Sequence, residues 1–342
     1  MMAYDPYKAL YIHLPFCKHR CSYCDFTTRA VPKDSPEIDE YVEGLTREIR
    51  QASRDGKLSQ IETVYLGGGT PSYIGSKHLS SLLYMLGVSM NLSPAVECSM
   101  EANPDSITFE LIKDIYALGV NRLSIGVQSF DDGMLRFLDR AHDAQQAKRA
   151  VDIAHERFEN VSIDLMCGIP GQTPEMFQES LSTAIDLGVS HISIYPLTIE
   201  EHTPLCNKVD AGEVPDVVQD HQAYQMAMAE HILEPAGLMR YEVASYASQG
   251  NQCRHNIAYW TGIPYLGLGT SAVTMTQNSS RRMRVQDGHV VDDLNRRQMT
   301  AEDLMMKMRM TRGVSEDELA KAAVLLPDAL DVFRSLVMDN LV

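Results

Sequence analysis

Three cysteines stand close together near the N-terminus, Cys17, Cys21 and Cys24 in the stretch YIHLPFCKHRCSYCDF. Their spacing, C-x3-C-x2-C, puts three thiols on one short loop. A tetrahedral zinc site there would draw its fourth ligand from His13 or His19. A ferredoxin-type cluster would use four thiolates, and the next cysteine, Cys98, is far along the chain. Three thiolates can also hold three irons of a [4Fe–4S] cube and leave the fourth iron to a chelating ligand. Three buried structural thiols are the plain alternative.

Other residues carry chemistry of a different kind. Gly67-Gly68-Gly69-Thr70-Pro71 is a backbone with no side chains in its first three positions, so it can approach a ligand closely and point N–H or C=O groups at it, although a glycine triplet alone also reads as a tight turn. It is not a phosphate loop, because no Lys-Ser/Thr follows at the required spacing. Glu101, ahead of Asn103-Pro104, offers a carboxylate that can accept from a cationic amine or a ribose diol. Gln128, Arg140 and Asp164 add an amide, a fixed cation and a second carboxylate. Singly each reads as a salt-bridge or cap residue. Together they suit a zwitterionic ligand that carries a sugar.

The elements that must position these groups alternate regularly. Short β-branched runs predict strands near Leu10–Leu14, Glu62–Leu66, Val96–Met100, Arg122–Val127, Val161–Met166 and His191–Tyr195. Helices are predicted between them, near Pro36–Ala52, Lys77–Val88, Phe109–Leu118, Ala144–Arg157 and Glu175–Leu187. Ser35 is placed to cap the first helix and Pro36 to begin it. Gly119 and Gly188 follow leucines where left-handed caps are expected. Strand–helix repetition implies a parallel sheet, doubly wound or rolled toward a barrel. Each unusual residue falls at or just past the carboxyl end of a strand, where such sheets collect their sites. Past Gly237 the pattern changes. Tyr241–Ser245 is predicted as one more strand, and the last stretch has helical periodicity.

Composition narrows the function classes. The chain has 342 residues, is 44% hydrophobic and carries a net charge of −16, with 7 cysteines. That acidity argues against a nucleic-acid partner. The basic run Arg281-Arg282-Met283-Arg284 is expected to be a solvated loop. No run is apolar enough for a membrane span, and Met1-Met2-Ala3 begins no signal peptide, so a cytoplasmic protein with at most peripheral membrane contact is expected. Cysteines in that compartment serve as metal ligands or buried thiols rather than disulfides.

Taken in order, the motifs resemble the radical S-adenosylmethionine (SAM) family. The cysteine stretch is similar to its cluster motif. LGGGTPS, EANPD, GVQSF, LDRAHDAQQA and DLMCGIPGQT resemble the branch that includes oxygen-independent coproporphyrinogen III dehydrogenase. The resemblance implies an α/β fold, an incomplete (β/α)6 barrel with a small, mostly helical C-terminal domain. It places a core in residues 1–236 and a HemN-type C-terminal region in residues 237–342. It implies that Cys17, Cys21 and Cys24 hold a [4Fe–4S] cluster whose open iron is chelated by SAM. An electron from the reduced cluster then splits SAM into methionine and a 5′-deoxyadenosyl radical. By position, Tyr11, Tyr23, Gly68, Gly69, Thr70, Glu101, Gln128, Arg140, Asp164 and Thr198 match the family's SAM-contacting residues. A donor such as flavodoxin or ferredoxin is implied as the electron source.

Two features separate this chain from the dehydrogenase. Phe26 stands where that enzyme has a fourth cysteine, and the segment before Cys17 is shorter. HNIAYW, His255 to Trp260, and YPLTIEEHTPL instead resemble the HemW-type heme chaperones of the same branch. That resemblance implies heme as cargo, hemoproteins as acceptors and His255 as the heme contact. It also leaves the dehydrogenase, an oxidoreductase, as the alternative. Cys253-Arg254-His255 is not the C-x-x-C-H attachment motif. The chain ends at Leu341-Val342, earlier than the resemblance leads one to expect.

Overall fold

The structure is a computed structural model that describes residues 4–90 and 95–339. Met1-Met2-Ala3 and Leu341-Val342, singled out in the sequence, lie outside the described residues. All six expected strands are present with ends shifted by a residue or two. They are β1 (Ala9–Leu14), β2 (Thr63–Gly68), β3 (Glu97–Ala102), β4 (Arg122–Gln128), β5 (Asn160–Cys167) and β6 (His191–Pro196). Each pairs in parallel with the next, in simple chain order. A doubly wound sheet would reverse its order at a switch point. Successive right-handed crossovers in one direction keep the helices on one face and roll the sheet.

Alternation along the strands sorts the two faces. Toward the helices point Leu10, Ile12 and Leu14 of β1, Val64 and Leu66 of β2, and Leu123, Ile125 and Val127 of β4, all buried in one large core. Helix α1 (Pro36–Arg54) meets that core with Ile38, Val42, Leu45 and Ile49. Ser35 caps it by accepting from the Glu37 amide, and Pro36 opens it. Gly119 and Gly188 both take positive φ after their helices, as the Leu-Gly pairs predict. On the other face the same strands present polar groups to a lumen. These include Ser99 and Glu101 on β3, Ser124 on β4, Ser162 and Asp164 on β5, and Ser193 on β6.

The stretch past Gly237 departs from expectation. Tyr241–Ser245 is not a strand. Short strands β7 (Met239–Arg240) and β8 (Ser245–Ala247) flank a turn in which Glu242 makes an isolated bridge to Met310. The glycine-rich YLGL is itself a strand, β9 (Tyr265–Leu268), parallel to β1. Its Gly267 lies so close to the Val273 carbonyl that a side chain there would collide. Antiparallel strands β10 (Val273–Gln277), β11 (Arg281–Gln286) and β12 (His289–Asn295) extend the sheet to twelve strands. The basic run is therefore not a solvated loop but β11. Acids on β12 and on the helix Arg296–Lys307 face it, pairing Arg281 with Asp293, Arg282 with Glu302 and Asp303, and Arg284 with Asp292 and Glu302. Among the described residues no helix is long and apolar enough to cross a membrane.

A buried ion pair closes the amino-terminal end of the lumen. Arg122 and Glu97 are 4% and 8% exposed and lie 3.4 Å apart. Glu97 also accepts the Arg254 and His255 amides, at 3.0 and 2.9 Å, capping the helix Arg254–Trp260. Arg122 donates to the carbonyls of Asn251 and Gln252. Removing one partner strands the other charge. Glu97→Ala is expected to lower the unfolding free energy by about 3–5 kcal/mol, read by urea denaturation. A loss typical of a surface substitution would contradict this account.

Candidate functional site

The three cysteines sit on a loop tied shut at its base. Phe16–Cys17 pairs with Arg29–Ala30 in a small parallel ribbon, and Arg29 donates its amide to the Pro15 carbonyl at 2.8 Å. Between these ties the loop carries Cys21 and Cys24 over the carboxyl end of the barrel, the Cys24 amide donating to the Cys21 carbonyl. All three thiols are free, Cys17 buried and the other two half-buried. Thr70 Oγ1 donates to Cys17 Sγ at 3.5 Å, and Arg140 Nη1 reaches Cys21 Sγ at 3.4 Å. Burial pushes the Cys17 and Cys21 thiols up, and the neighbouring cysteines add to it. For these two thiols a bound cation would offset the cost of ionisation.

Of the two histidines weighed as a fourth ligand, His13 is engaged elsewhere, with Nδ1 against the Tyr11 hydroxyl and Nε2 against the Thr27 carbonyl, each at 3.0 Å. His19 lines the same cavity as the cysteines, its Nε2 3.4 Å from Asp139. A set of three thiols suits a cube with one iron left open, whereas a closed tetrahedral zinc cage needs a fourth donor.

The glycine loop runs under the cysteine loop. Gly69 donates to the Leu14 carbonyl and Thr70 to the Phe16 carbonyl, each at 2.8 Å, so β1–β2 pairing continues past both strands. Gly68 has φ +114°, and a side chain on it would enter the His13 ring. A Cβ on Gly69 would lie 2.8 Å from the Phe16 carbonyl oxygen and the Pro15 carbonyl carbon. The glycines thus serve backbone-to-backbone approach as well as ligand access.

Below the loops lie the charged groups. Glu101 Oε1 accepts from the Tyr65 hydroxyl at 2.9 Å and Oε2 from the Gly68 amide at 3.0 Å. Burial, then the charge of Asp164, push the Glu101 carboxyl up to about 7. Burial likewise pushes Asp164 up to about 6, opposed by the Ser193 and Ser124 hydroxyls and by Arg140. Arg140 Nη2 donates to Asn103 Oδ1 at 2.8 Å and to the Gly126 carbonyl at 2.6 Å, while Nη1 faces Tyr23 and Cys21. Gln128 closes β4 with φ +68°, beside a register shift that starts at Gly126.

Cys17, Cys21, Cys24, Tyr23, Gly68, Gly69, Thr70, Glu101, Gln128, Arg140, Asp164 and Thr198 all line one cavity of about 400 Å³. Tyr11 lines an adjoining cavity of about 460 Å³ that shares Gly68 and Glu101 with the first. His255 lines neither. It is 1% exposed, with Nδ1 against Thr63 Oγ1 at 2.9 Å and Nε2 against the Tyr259 hydroxyl at 3.2 Å. Both ring nitrogens of His255, expected as the heme contact, are engaged by protein partners in this arrangement. Cys253 is buried against Glu97, its thiol pushed up to about 12 by burial and then by that carboxylate. Sequence reasoning missed Tyr65, Asn103, Ser124 and Ser193 as site residues. The period-two alternation of β2, β4 and β6 was the available signal for three of them.

The buried carboxylates, the side-chain-free backbone and the three thiols fit a cluster with a cationic, sugar-bearing chelator. The family model for the radical SAM superfamily matches residues 11–184, and the chain belongs to that superfamily. It is similar to the heme chaperone HemW of Bacillus subtilis (strain 168), with 32% identity covering 92% of this chain and 86% of the relative. HemW of Escherichia coli (strain K12) is 36% identical over 78% of this chain and 70% of its own. The chain therefore belongs to the family of HemW heme chaperones. Coproporphyrinogen III oxidase (HemN) from Escherichia coli shares the fold, with a TM-score of 0.80 at 21% identity, covering 98% of this chain and 84% of that one.

Two outcomes test this geometry. Gly69→Ala forces the cysteine loop off the glycine loop. It is expected to cost about 1–3 kcal/mol of stability and to lower the iron retained after cluster reconstitution. A variant with full iron content would refute the close approach. The raised carboxyls give a pH signature in the cluster-free chain. The folded state holds their protons more tightly, so their contribution is full below the ordinary carboxyl range. It is lost as pH rises through about 6 for Asp164 and about 7 for Glu101. Glu101→Gln should flatten the decline and leave the variant more stable than the parent at alkaline pH by about 3 kcal/mol. Urea unfolding along the pH series reads this directly.

Proposed function

We propose that this chain is a heme carrier of the radical SAM type, which binds heme and passes it to hemoprotein acceptors while keeping a cluster and SAM site. The supporting observation is the convergence of the cysteines, the glycine loop and the Glu101, Arg140 and Asp164 side chains on one cavity. It is joined by 32% identity to a heme chaperone over 92% of the chain. Cys17, Cys21 and Cys24 would hold a [4Fe–4S] cluster, which when reduced supplies an electron for breaking a sulfonium S–C bond. Gly68 and Gly69 leave room for SAM beside the cysteine loop. Glu101 and Asp164 face its cationic and hydroxyl groups. Arg140 sets the edge of the site by holding Asn103, the Gly126 carbonyl and Tyr23 in fixed relation. Tyr11, Thr70, Gln128 and Thr198 complete the wall. A lumen closed by Glu97 and Arg122 excludes water from below.

The reading includes residues 1–236 as the SAM-binding core, residues 237–342 as the HemN-type region, a cytoplasmic location and a reduced flavodoxin or ferredoxin as electron donor. His255, with both ring nitrogens engaged, is given no axial role. Anaerobic assays on the reconstituted chain test the proposal against a coproporphyrinogen III dehydrogenase. A carrier retains stoichiometric heme through gel filtration, loads an apo-hemoprotein and forms no porphyrin product from coproporphyrinogen III. Product formation with release of 5′-deoxyadenosine sinks it.

A further inference from the structure

The HNIAYW stretch has no open contact for a ligand through its histidine, yet that histidine touches the SAM cavity through one intermediary. The His255 ring stacks on Tyr65, with centroids 5.1 Å apart and planes at 26°. Tyr11 is a second ring neighbour of Tyr65, with centroids 6.3 Å apart and planes at 23°. Tyr65 is therefore a ring with two aromatic neighbours, and its hydroxyl donates to Glu101 Oε1 at 2.9 Å. The histidine is itself fixed at three points. Thr63 Oγ1 meets Nδ1, the Tyr259 hydroxyl meets Nε2, and Glu97 accepts the backbone amide. Thr63 and Tyr65 are alternate residues of β2 on its lumen side, so one ring spans both.

We infer that His255 is a positioning residue for Glu101, acting through Tyr65 rather than on heme. A carboxylate with two fixed donors, Tyr65 and the Gly68 amide, presents its remaining lone pairs in one direction. Loss of the ring behind Tyr65 lets the phenol tilt and removes one donor. The other titratable groups around Glu101 are Asp164 from β5, Tyr11 from β1, Tyr195 from β6 and Tyr259 from the helix Arg254–Trp260. None of them donates a hydrogen bond to it in place of Tyr65. The inference rests on the reading that Glu101 faces SAM.

SAM titration calorimetry on the cluster-loaded chain, repeated across neutral pH, tests it alongside heme stoichiometry. Tyr65→Phe keeps the ring and deletes only the hydroxyl. It should weaken SAM about tenfold and move the pH midpoint of SAM affinity upward, because Glu101 loses a donor to its charged form. His255→Ala should move both readings the same way while bound heme per chain is unchanged. His255→Phe, which restores a flat ring against Tyr65, should recover part of the affinity. Unchanged SAM affinity and midpoint in Tyr65→Phe overturn the inference. So does a His255→Ala variant that loses heme but keeps SAM. Glu101→Gln separates the two levels. If it leaves SAM affinity unaltered, the underlying reading of the site fails. If it weakens SAM while Tyr65→Phe does not, the positioning role alone fails.

Discussion

The site depends on a parallel ladder that continues after its strands end. β1 and β2 pair from Ala9 to Leu14, and two further amides, Gly69 to the Leu14 carbonyl and Thr70 to the Phe16 carbonyl, carry the pairing into the loops. Backbone bonds of this kind fix two chains at strand spacing. The loops can stay at that spacing only because Gly68 and Gly69 have no Cβ to meet His13, Pro15 and Phe16. Thr70, placed by the same bond, then turns its hydroxyl to Cys17. The thiol geometry is a consequence of strand pairing rather than of the cysteine loop alone.

Charge is organised on that frame by Arg140. One guanidinium reaches the Cys21 thiol, the Tyr23 hydroxyl, the Asn103 amide oxygen and the Gly126 carbonyl. These groups come from the cysteine loop, the loop after β3 and the strand β4. A planar cation with several fixed donors suits such a junction, and a flexible ammonium would not hold four directions at once. Its charge also lowers the cost of ionising Asp164, after the Ser193 and Ser124 hydroxyls, while burial raises both that carboxyl and Glu101.

Much of this was legible in the sequence, for stated physical reasons. The six strands show as β-branched runs because both faces of a rolled parallel sheet are covered. The site residues show because a parallel sheet exposes its chemistry at strand ends, so Glu101 and Asp164 stand out as carboxylates where apolar residues are expected. β9 was hidden because Gly267 and Gly269 mimic a loop, though Gly267 is there to let the Val273 carbonyl approach. β11 was hidden because its arginines look solvated until the acids of β12 and of the helix Arg296–Lys307 come opposite, and that pairing is a tertiary fact. Tyr241–Ser245 has strand composition but bends, with Glu242 buried and bridged to Met310. The contacts of the His255 ring nitrogens, to Thr63 and Tyr259, are likewise tertiary facts that the HNIAYW motif does not state.

The region after Gly237 is tied to the site by the strand that carries the cysteines. Without β9, β1 would be an edge strand with one row of unpaired amides and carbonyls. β9 occupies that row from Ala9 to Ile12. Just beyond it, Gly269 donates to Glu48, and Thr270 donates to the Tyr41 hydroxyl, which in turn donates to the His13 carbonyl at 2.9 Å. The C-terminal stretch therefore holds the end of β1 from one side while the glycine loop holds it from the other. The cysteine loop follows directly, so both partners fix the point from which it starts.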